Sequence, residues 1–221
     1  MDAQQFAAKY PTLYHMADET AWPSIQKHGL LSTRAMVDLY EPEPAIRAAI
    51  LSEVRCSCIT LESDVLGTMT VRDQLPLKFL DECLEDGVTR QDFLCALNGR
   101  VFFWLSIDRL QTLLNARAYR NRRHTVMHVD TAALLEVYGA EAQLAPYNTG
   151  SAHVPTVPTR GPDVFTSLEK YPFDEWRRKR GRSREPVVEL TIPYAVPDIA
   201  KFVRKVQLRQ ANDVLATVFE V

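Results

Sequence analysis

The sequence has no apolar run long enough to cross a membrane and no surplus of either charge. No apolar stretch approaches the roughly 18 residues that indicate a membrane-spanning helix, so we expect no membrane association. The 26 basic and 28 acidic side chains give a formal net charge of −2, which by itself does not argue for a nucleic-acid partner. The opening M-D-A-Q-Q-F has neither the basic nor the apolar segment of a secretion signal. We therefore expect a cytoplasmic protein.

Cysteine is scarce, and its spacing does not indicate a metal site. The cysteines are Cys56, Cys58, Cys83 and Cys95. Zinc-binding pairs are usually separated by about two to four residues, whereas Cys56 and Cys58 are separated by a single residue, and no histidine follows at ligand spacing. We predict reduced, mostly buried thiols and no bound metal.

What the chain does contain is typical of one globular domain. Its 221 residues are 46% hydrophobic and 24% charged, and both kinds are spread along the whole length. Strand and helix patterns alternate without a linker, so we predict a single α+β domain over residues 1–221. The clearest strands are Arg100–Ser106 and His124–Val129. A stretch rich in proline and glycine from Gln143 to Val164 predicts a long loop, and such loops are often functional.

A late strand carries an acidic residue among apolar ones. The segment V-V-E-L-T-I at 187–192 is rich in strand-forming residues and is bracketed by prolines. Side-chain alternation places Glu189 with Val187 and Thr191 on one face, opposite a face that resembles core. Glu189 is therefore either a solvated carboxylate on an edge strand or a functional group that faces a cleft.

A dense basic run lies directly before this strand. Such runs are usually solvated surface, but the position beside Glu189 indicates contacts with phosphates. Phosphate contacts provide affinity without base selectivity. The predicted nucleic-acid-binding residues are Arg177, Arg178, Lys179, Arg180 and Arg182.

Three segments, in this order, resemble the ADP-ribosyltransferase superfamily, and most closely the DarT-type nucleic-acid ADP-ribosyltransferases and related bacterial families. The first is L-Y-H-M-A at 13–17 with K-H-G-L-L-S at 27–32. The second is R-V-F-F-W at 100–104, and the third is V-E-L-T-I-P-Y-A-V-P-D-I at 188–199. The region 55–97 departs from the family pattern, so the arginine that this family uses is not carried over to one position.

The resemblance implies two small twisted antiparallel sheets that form an NAD cleft, with helices packed around them. It implies that Glu189 acts at the nicotinamide ribose, where loss of nicotinamide leaves positive charge that a carboxylate stabilises. His15 is expected to bind the adenosine side, and Phe103 or Trp104 to pack beside the nicotinamide. An arginine is expected to meet the pyrophosphate because its planar guanidinium matches phosphate oxygens. The candidates are Arg34, Arg72 and Arg100.

Structural alternatives accompany these assignments. His15 is equally well explained as a histidine bonded to a carbonyl, and the aromatic strand as core. Alternation places Phe103 on the face opposite Phe102 and Trp104. The loop around Asn148–Ser151 is a candidate for facing NAD or the acceptor.

Three functions follow. The first is an NAD-dependent ADP-ribosyltransferase that modifies a nucleic acid, either DNA or RNA, and releases nicotinamide, with NAD as co-substrate. The second is the same fold with a protein or RNA 2′-phosphate acceptor. The third is a non-enzymatic nucleic-acid-binding domain. The resemblance also raises a role as a toxin with an antitoxin or immunity partner.

Overall fold

The computed structural model describes residues 1–181 and 184–221. Arg182, one of the predicted nucleic-acid-binding residues, lies outside the described residues. The α-helices are α1 (Ala3–Lys9), α2 (Trp22–His28), α3 (Thr33–Tyr40), α4 (Pro44–Ser52), α5 (Arg90–Asn98), α6 (Ile107–Leu114), α7 (Thr131–Tyr138) and α8 (Phe173–Arg180).

The strands run through the whole sequence and alternate with these helices, which confirms the predicted α+β class. They are β1 (Thr12–Asp18), β2 (Leu30–Leu31), β3 (Ile59–Ser63), β4 (Gly67–Val71), β5 (Arg100–Trp104), β6 (Arg123–Asp130), β7 (Gln143–Ala145), β8 (Thr166–Ser167), β9 (Glu189–Pro193), β10 (Ala195–Val196), β11 (Val203–Gln210) and β12 (Asp213–Glu220). The two clearest predicted strands correspond to β5 and β6.

The main sheet has eight strands in the order β12-β11-β6-β1-β5-β9-β7-β8. Its strand pairs are antiparallel. Two further sheets, β10-β2 and β3-β4, have two strands each. We predicted two small sheets as the main architecture, whereas the structure joins eight strands into one.

The two central strands of the main sheet, β1 and β5, are barely paired with each other. β1 pairs with β6 along its whole length, from Thr12 to Asp18, but with β5 at the single pair Tyr14↔Trp104. The sheet therefore consists of two four-stranded halves that separate beyond this pair. A sheet that separates in its middle leaves unpaired backbone groups, and side chains or ligands must satisfy them.

The largest core cluster packs on one face of both halves. On β5, Val101 and Phe103 are buried on this face together with Leu105, while Phe102 and Trp104 on the other face are half-buried. This is the alternation that the sequence predicted. The apolar face of β9, Leu190 and Ile192, belongs to the same cluster.

β9 lies in the interior of the sheet, between β5 and β7. Glu189 at its start is only 4% exposed. The interpretation of Glu189 as a solvated carboxylate on an edge strand is therefore wrong.

Gly29, which follows α2, allows a close approach between two chain segments. Its φ of 82° and ψ of 177° lie in a region that is essentially restricted to glycine. A Cβ at this position would lie 2.5 Å from the Cα of Pro197. This packing sets β2 beside β10 and places the segment Leu30–Ser32 against the cleft described below.

Gly29→Ala is expected to lower the free energy of unfolding by about 2 kcal/mol or more, since backbone strain adds to a clash with backbone atoms. Gly87→Ala is the matched control, because Gly87 has a φ of 80° but a Cβ added there would meet no atom within 4 Å. We expect a loss of about 1 kcal/mol there from strain alone. Urea unfolding measures both. Equal losses would contradict a role for the contact with Pro197.

Candidate functional site

A cleft with a volume of about 340 Å³ opens where β1 and β5 separate. This volume is within the range of small-molecule binding sites, and the lining combines apolar surface with many polar and charged side chains. β1, β5, β9, the β2 segment and β4 contribute to its walls. The sequence-predicted residues that line it are His15, Arg72, Arg100, Phe103, Trp104 and Glu189.

The imidazole of His15 fills the point at which β1 and β5 diverge. Its Nδ1 lies 2.8 Å from the carbonyl oxygen of Phe102, a group that no longer has a ladder partner on β1. Burial lowers the pKa of His15 to about 4, so the ring is neutral at physiological pH. Since a carbonyl can only accept, Nδ1 carries the proton and Nε2 is an acceptor. His15 therefore both bonds a carbonyl and lines the cleft.

Glu189 has a buried carboxyl group that accepts two hydrogen bonds. Its Oε2 accepts hydrogen bonds from the backbone nitrogen of Thr149 at 3.1 Å and from the Thr149 hydroxyl at 2.7 Å. Burial raises the pKa of Glu189 to about 7, although the Thr149 donors and the charges of Arg160 and Arg109 act in the opposite direction. A carboxyl that titrates near neutral pH in a cleft is suited to proton transfer and to stabilising positive charge.

The loop that carries Thr149 is held by a buried arginine. Arg160, which is 2% exposed, donates hydrogen bonds to the carbonyl oxygens of Ser151 at 2.6 Å and Asn148 at 3.4 Å. Its guanidinium lies 4.4 Å from the ring centre of Tyr147. Arg160 therefore fixes the backbone on both sides of Thr149, and Asn148 and Gly150 line the cleft.

The sequence predicted the loop Asn148–Ser151, which contains Thr149, as a candidate, but it assigned no bond with Glu189 to Thr149 and it did not indicate Arg160. The only signal was the loop's length and its proline and glycine content. Neither residue belongs to a motif, because each acts through a contact with a distant or irregular segment.

The two aromatic candidates on β5 differ in position. Phe103 is fully buried in the core, and its ring centre lies 6.0 Å from that of His15. Trp104 is half-buried, and it is the residue directly opposite Glu189 in the β5–β9 register. Opposite residues of an antiparallel pair share a face. Trp104, rather than Phe103, therefore lies on the same face of the sheet as the Glu189 carboxyl.

The three candidate arginines also differ. Arg34 is exposed and does not line the cleft, because Asp38 holds its Nε at 3.1 Å. Arg100 reaches the cleft wall, but its Nε donates to Gln143 at 3.0 Å and its guanidinium lies 4.2 Å from the ring centre of Phe165. The side chains of Arg34 and Arg100 therefore already have partners within the protein.

Among the arginines that line the cleft, Arg72 makes the fewest contacts with other side chains and carbonyl groups. It lies on the ring of Tyr119 at 5.2 Å and donates to the carbonyl oxygen of Met16 at 3.4 Å. Among the described residues it forms no ion pair with a carboxylate, although the neighbouring Asp73 pairs with Arg122. Its guanidinium is available to an anionic ligand.

The basic run lies mostly on α8, outside the cleft wall. Within the helix, Lys179 pairs with Glu175 at 2.6 Å and Arg177 approaches Asp174 at 4.0 Å. Arg178 is exposed, whereas Arg180 is half-buried. The predicted role of these residues in nucleic-acid binding stays a prediction.

Cysteines and acidic side chains are dispersed. Cys83 is buried, but Cys56, Cys58 and Cys95 are exposed, so the prediction of mostly buried thiols was wrong. Within residues 1–181 and 184–221, no three His, Cys, Asp or Glu side chains are grouped as metal ligands. None of the helices in the described part of the chain combines the length and apolarity required to span a membrane.

Comparison with known proteins assigns the chain to a family without assigning an activity. Residues 11–203 match the model described as "Family of unknown function (DUF7002)". Because the match covers most of the chain, the protein belongs to this family. No curated protein and no solved structure shows a significant match. β12 and most of β11 lie C-terminal to the matched region.

Proposed function

We propose that this protein is an NAD-dependent ADP-ribosyltransferase that modifies a nucleic acid in the cytoplasm. The observation that carries the proposal is Glu189, a buried carboxyl with a pKa of about 7 in the wall of a cleft between two half-sheets. His15 stands where the half-sheets separate. An ADP-ribosyltransferase-like fold is part of the proposal, since two half-sheets joined at one residue pair provide the kind of cleft that the sequence resemblance implies.

The cleft residues fit the parts of NAD. The Nε2 of His15, which has no hydrogen-bond partner among the described residues, accepts a hydrogen bond from a ribose hydroxyl on the adenosine side. Arg72 meets the pyrophosphate, because its guanidinium has no carboxylate partner among the described residues and can contact two phosphate oxygens. Trp104 packs beside the nicotinamide, next to Glu189.

In the proposed transfer of ADP-ribose, the Glu189 carboxylate has two functions. NAD supplies the glycosidic bond, whose electron pair leaves with nicotinamide while a lone pair of the acceptor bonds to the ribose carbon. Ionised Glu189 stabilises the positive charge that develops on the sugar. It then accepts the proton that the acceptor loses, which a carboxyl with a pKa near neutral pH can do efficiently.

The test is nicotinamide release from NAD by the purified protein, measured alone and with mixed single-stranded DNA or RNA. Release that increases with one nucleic acid, together with ADP-ribose bound to it, supports the proposal and identifies the acceptor. Release that no nucleic acid affects would overturn the choice of acceptor in favour of a protein or another group. Binding of oligonucleotides without any release would indicate a non-enzymatic binding domain.

Thr149→Val is expected to shift the rate–pH profile to higher pH. The hydroxyl of Thr149 favours the ionised form of Glu189, so its removal raises the pKa of that carboxyl further. If ionised Glu189 is the active form, the rising limb of nicotinamide release moves upward and the plateau at high pH is retained. Thr149→Ser keeps the hydroxyl and is the matched control. An unchanged limb in the valine variant would contradict a role for this hydrogen bond.

A further inference from the structure

Arg55 is a buried arginine in the wall of the cleft, and the proposed reaction does not use it. It lies between α4 and β3 and is 7% exposed. It lines the cleft together with Gln74 and Asn98, which are also buried. Burial lowers the pKa of Arg55 to about 10, so the guanidinium is still charged at neutral pH. A buried charge requires hydrogen bonds and an opposite charge to compensate the loss of water.

Hydrogen bonds to neutral groups hold this guanidinium in one orientation. The Nε of Arg55 donates to the carbonyl oxygen of Arg72 at 2.9 Å. Its Nη1 donates to the carbonyl oxygen of Ile50 at 2.5 Å and to the Oδ1 of Asn98 at 3.2 Å. The same Oδ1 accepts a hydrogen bond from Gln74 at 3.1 Å. The Nη2 of Arg55 has no acceptor among the described residues, and it is not among their fully enclosed atoms. Its two N–H groups are therefore available to a ligand in the cleft.

Within the described part of the chain, no carboxylate forms an ion pair with Arg55. Asp73 lines the same cleft and its charge acts on Arg55. The Asp73 carboxylate, however, accepts a hydrogen bond from the hydroxyl of Tyr119 at 2.7 Å and pairs with Arg122 at 3.4 Å. The carbonyl group of Ile50 belongs to the last turn of α4, and a helix C-terminus supplies only about half of a negative charge. The site therefore retains positive charge, which a bound anion compensates.

We propose that Arg55 is the fixed donor of a phosphate-binding site in the cleft wall. Arg72, whose carbonyl oxygen accepts the bond from Nε, lines the same cleft and also forms no ion pair with a described carboxylate. Two cations without a carboxylate partner fit a phosphate group, which carries up to two negative charges and several acceptor oxygens, better than a carboxylate with one charge. The site does not depend on transfer of ADP-ribose, because any ligand that carries a phosphate group meets the same donors.

The experiment is calorimetric titration of the purified protein with inorganic phosphate and with pyrophosphate, at low salt and without NAD. Arg55→Gln is expected to weaken the binding of both anions about tenfold or more, because it removes a charge-assisted hydrogen bond. Arg90→Gln is the matched control. It removes the same charge at the start of α5, where Arg90 pairs with Asp81 and Glu53 outside the cleft, and it is expected to bind both anions as the wild type does.

Asn98→Asp tests the same site while Arg55 stays in place. Its carboxylate replaces the amide oxygen that lies 3.2 Å from the Nη1 of Arg55 and supplies the missing negative charge within the protein. This variant is expected to remain folded, as measured by circular dichroism, and to bind phosphate and pyrophosphate about tenfold more weakly. It changes the net charge by the same amount as Arg90→Gln, so a difference between these two variants reports on the site and not on the overall charge.

Absence of binding of both anions by the wild type would overturn the proposal, and so would equal affinities in the wild type and the folded variants at positions 55 and 98. The source of the phosphate is identified by anisotropy with a labelled single strand. Tighter binding of the 5′-phosphorylated strand than of the same strand with a 5′-hydroxyl assigns the site to the end of a nucleic acid. Pyrophosphate binding without that difference assigns it to a nucleotide. Nicotinamide release is a separate measurement, so failure of the phosphate site and failure of the proposed function are distinguishable.

Discussion

Glutamine in place of Glu189 is expected to lower nicotinamide release from NAD by about 100-fold or more, the range found for a residue that transfers a proton in the transition state. Glutamine has nearly the same shape and can still meet the donors of Thr149, but it carries no negative charge and accepts no proton. Both proposed functions of the carboxylate are therefore lost together, whereas binding of NAD changes less.

Glu136→Gln is the matched control for this variant, because Glu136 is an exposed glutamate on α7, away from the cleft. It is expected to release nicotinamide at the wild-type rate. Full activity of Glu189→Gln would show that the cleft carboxyl is not catalytic and would contradict the proposed function.

Glu189→Gln is also expected to increase the stability of the protein at alkaline pH. Glu189 ionises at a pKa near 4.5 when unfolded and at about 7 when folded, a difference that corresponds to about 3 kcal/mol. The folded state binds this proton more tightly than the unfolded state. The stability that arises from this tighter proton binding is therefore fully present below pH 4.5 and is lost as the pH rises through 7. Glutamine does not ionise, so Glu189→Gln is expected to exceed the wild type by up to about 3 kcal/mol at roughly pH 8.

Urea unfolding of both proteins at pH values below and above this window measures the difference. Glu136→Gln is expected to follow the wild type at every pH, because its carboxyl is solvated. A difference between Glu189→Gln and the wild type that does not vary with pH would contradict the elevated pKa. Loss of activity together with a gain in stability is typical of a residue that is retained for function at the expense of folding energy.

Local patterns in the sequence were sufficient for several features. The alternation of Val101, Phe103 and Leu105 with Phe102 and Trp104 predicted the two faces of β5. The run of strand-forming residues around Glu189 predicted β9. Each of these signals depends on residues that are neighbours in the chain, where side-chain direction follows directly from backbone period.

The position of β9 inside the sheet, the separation of β1 from β5 and the identity of the groups around Glu189 were decided by tertiary structure. Thr149 and Glu189 are 40 residues apart, and His15 and Phe102 are 87 apart. The contacts of Arg100 with Gln143 and Phe165 likewise depend on which distant segments meet, whereas Arg34 pairs with Asp38 on its own helix. Residue type specifies what a side chain can bond, but the packing of the whole chain decides which bonds form and how far each charge is removed from water, and these set the pKa of Glu189.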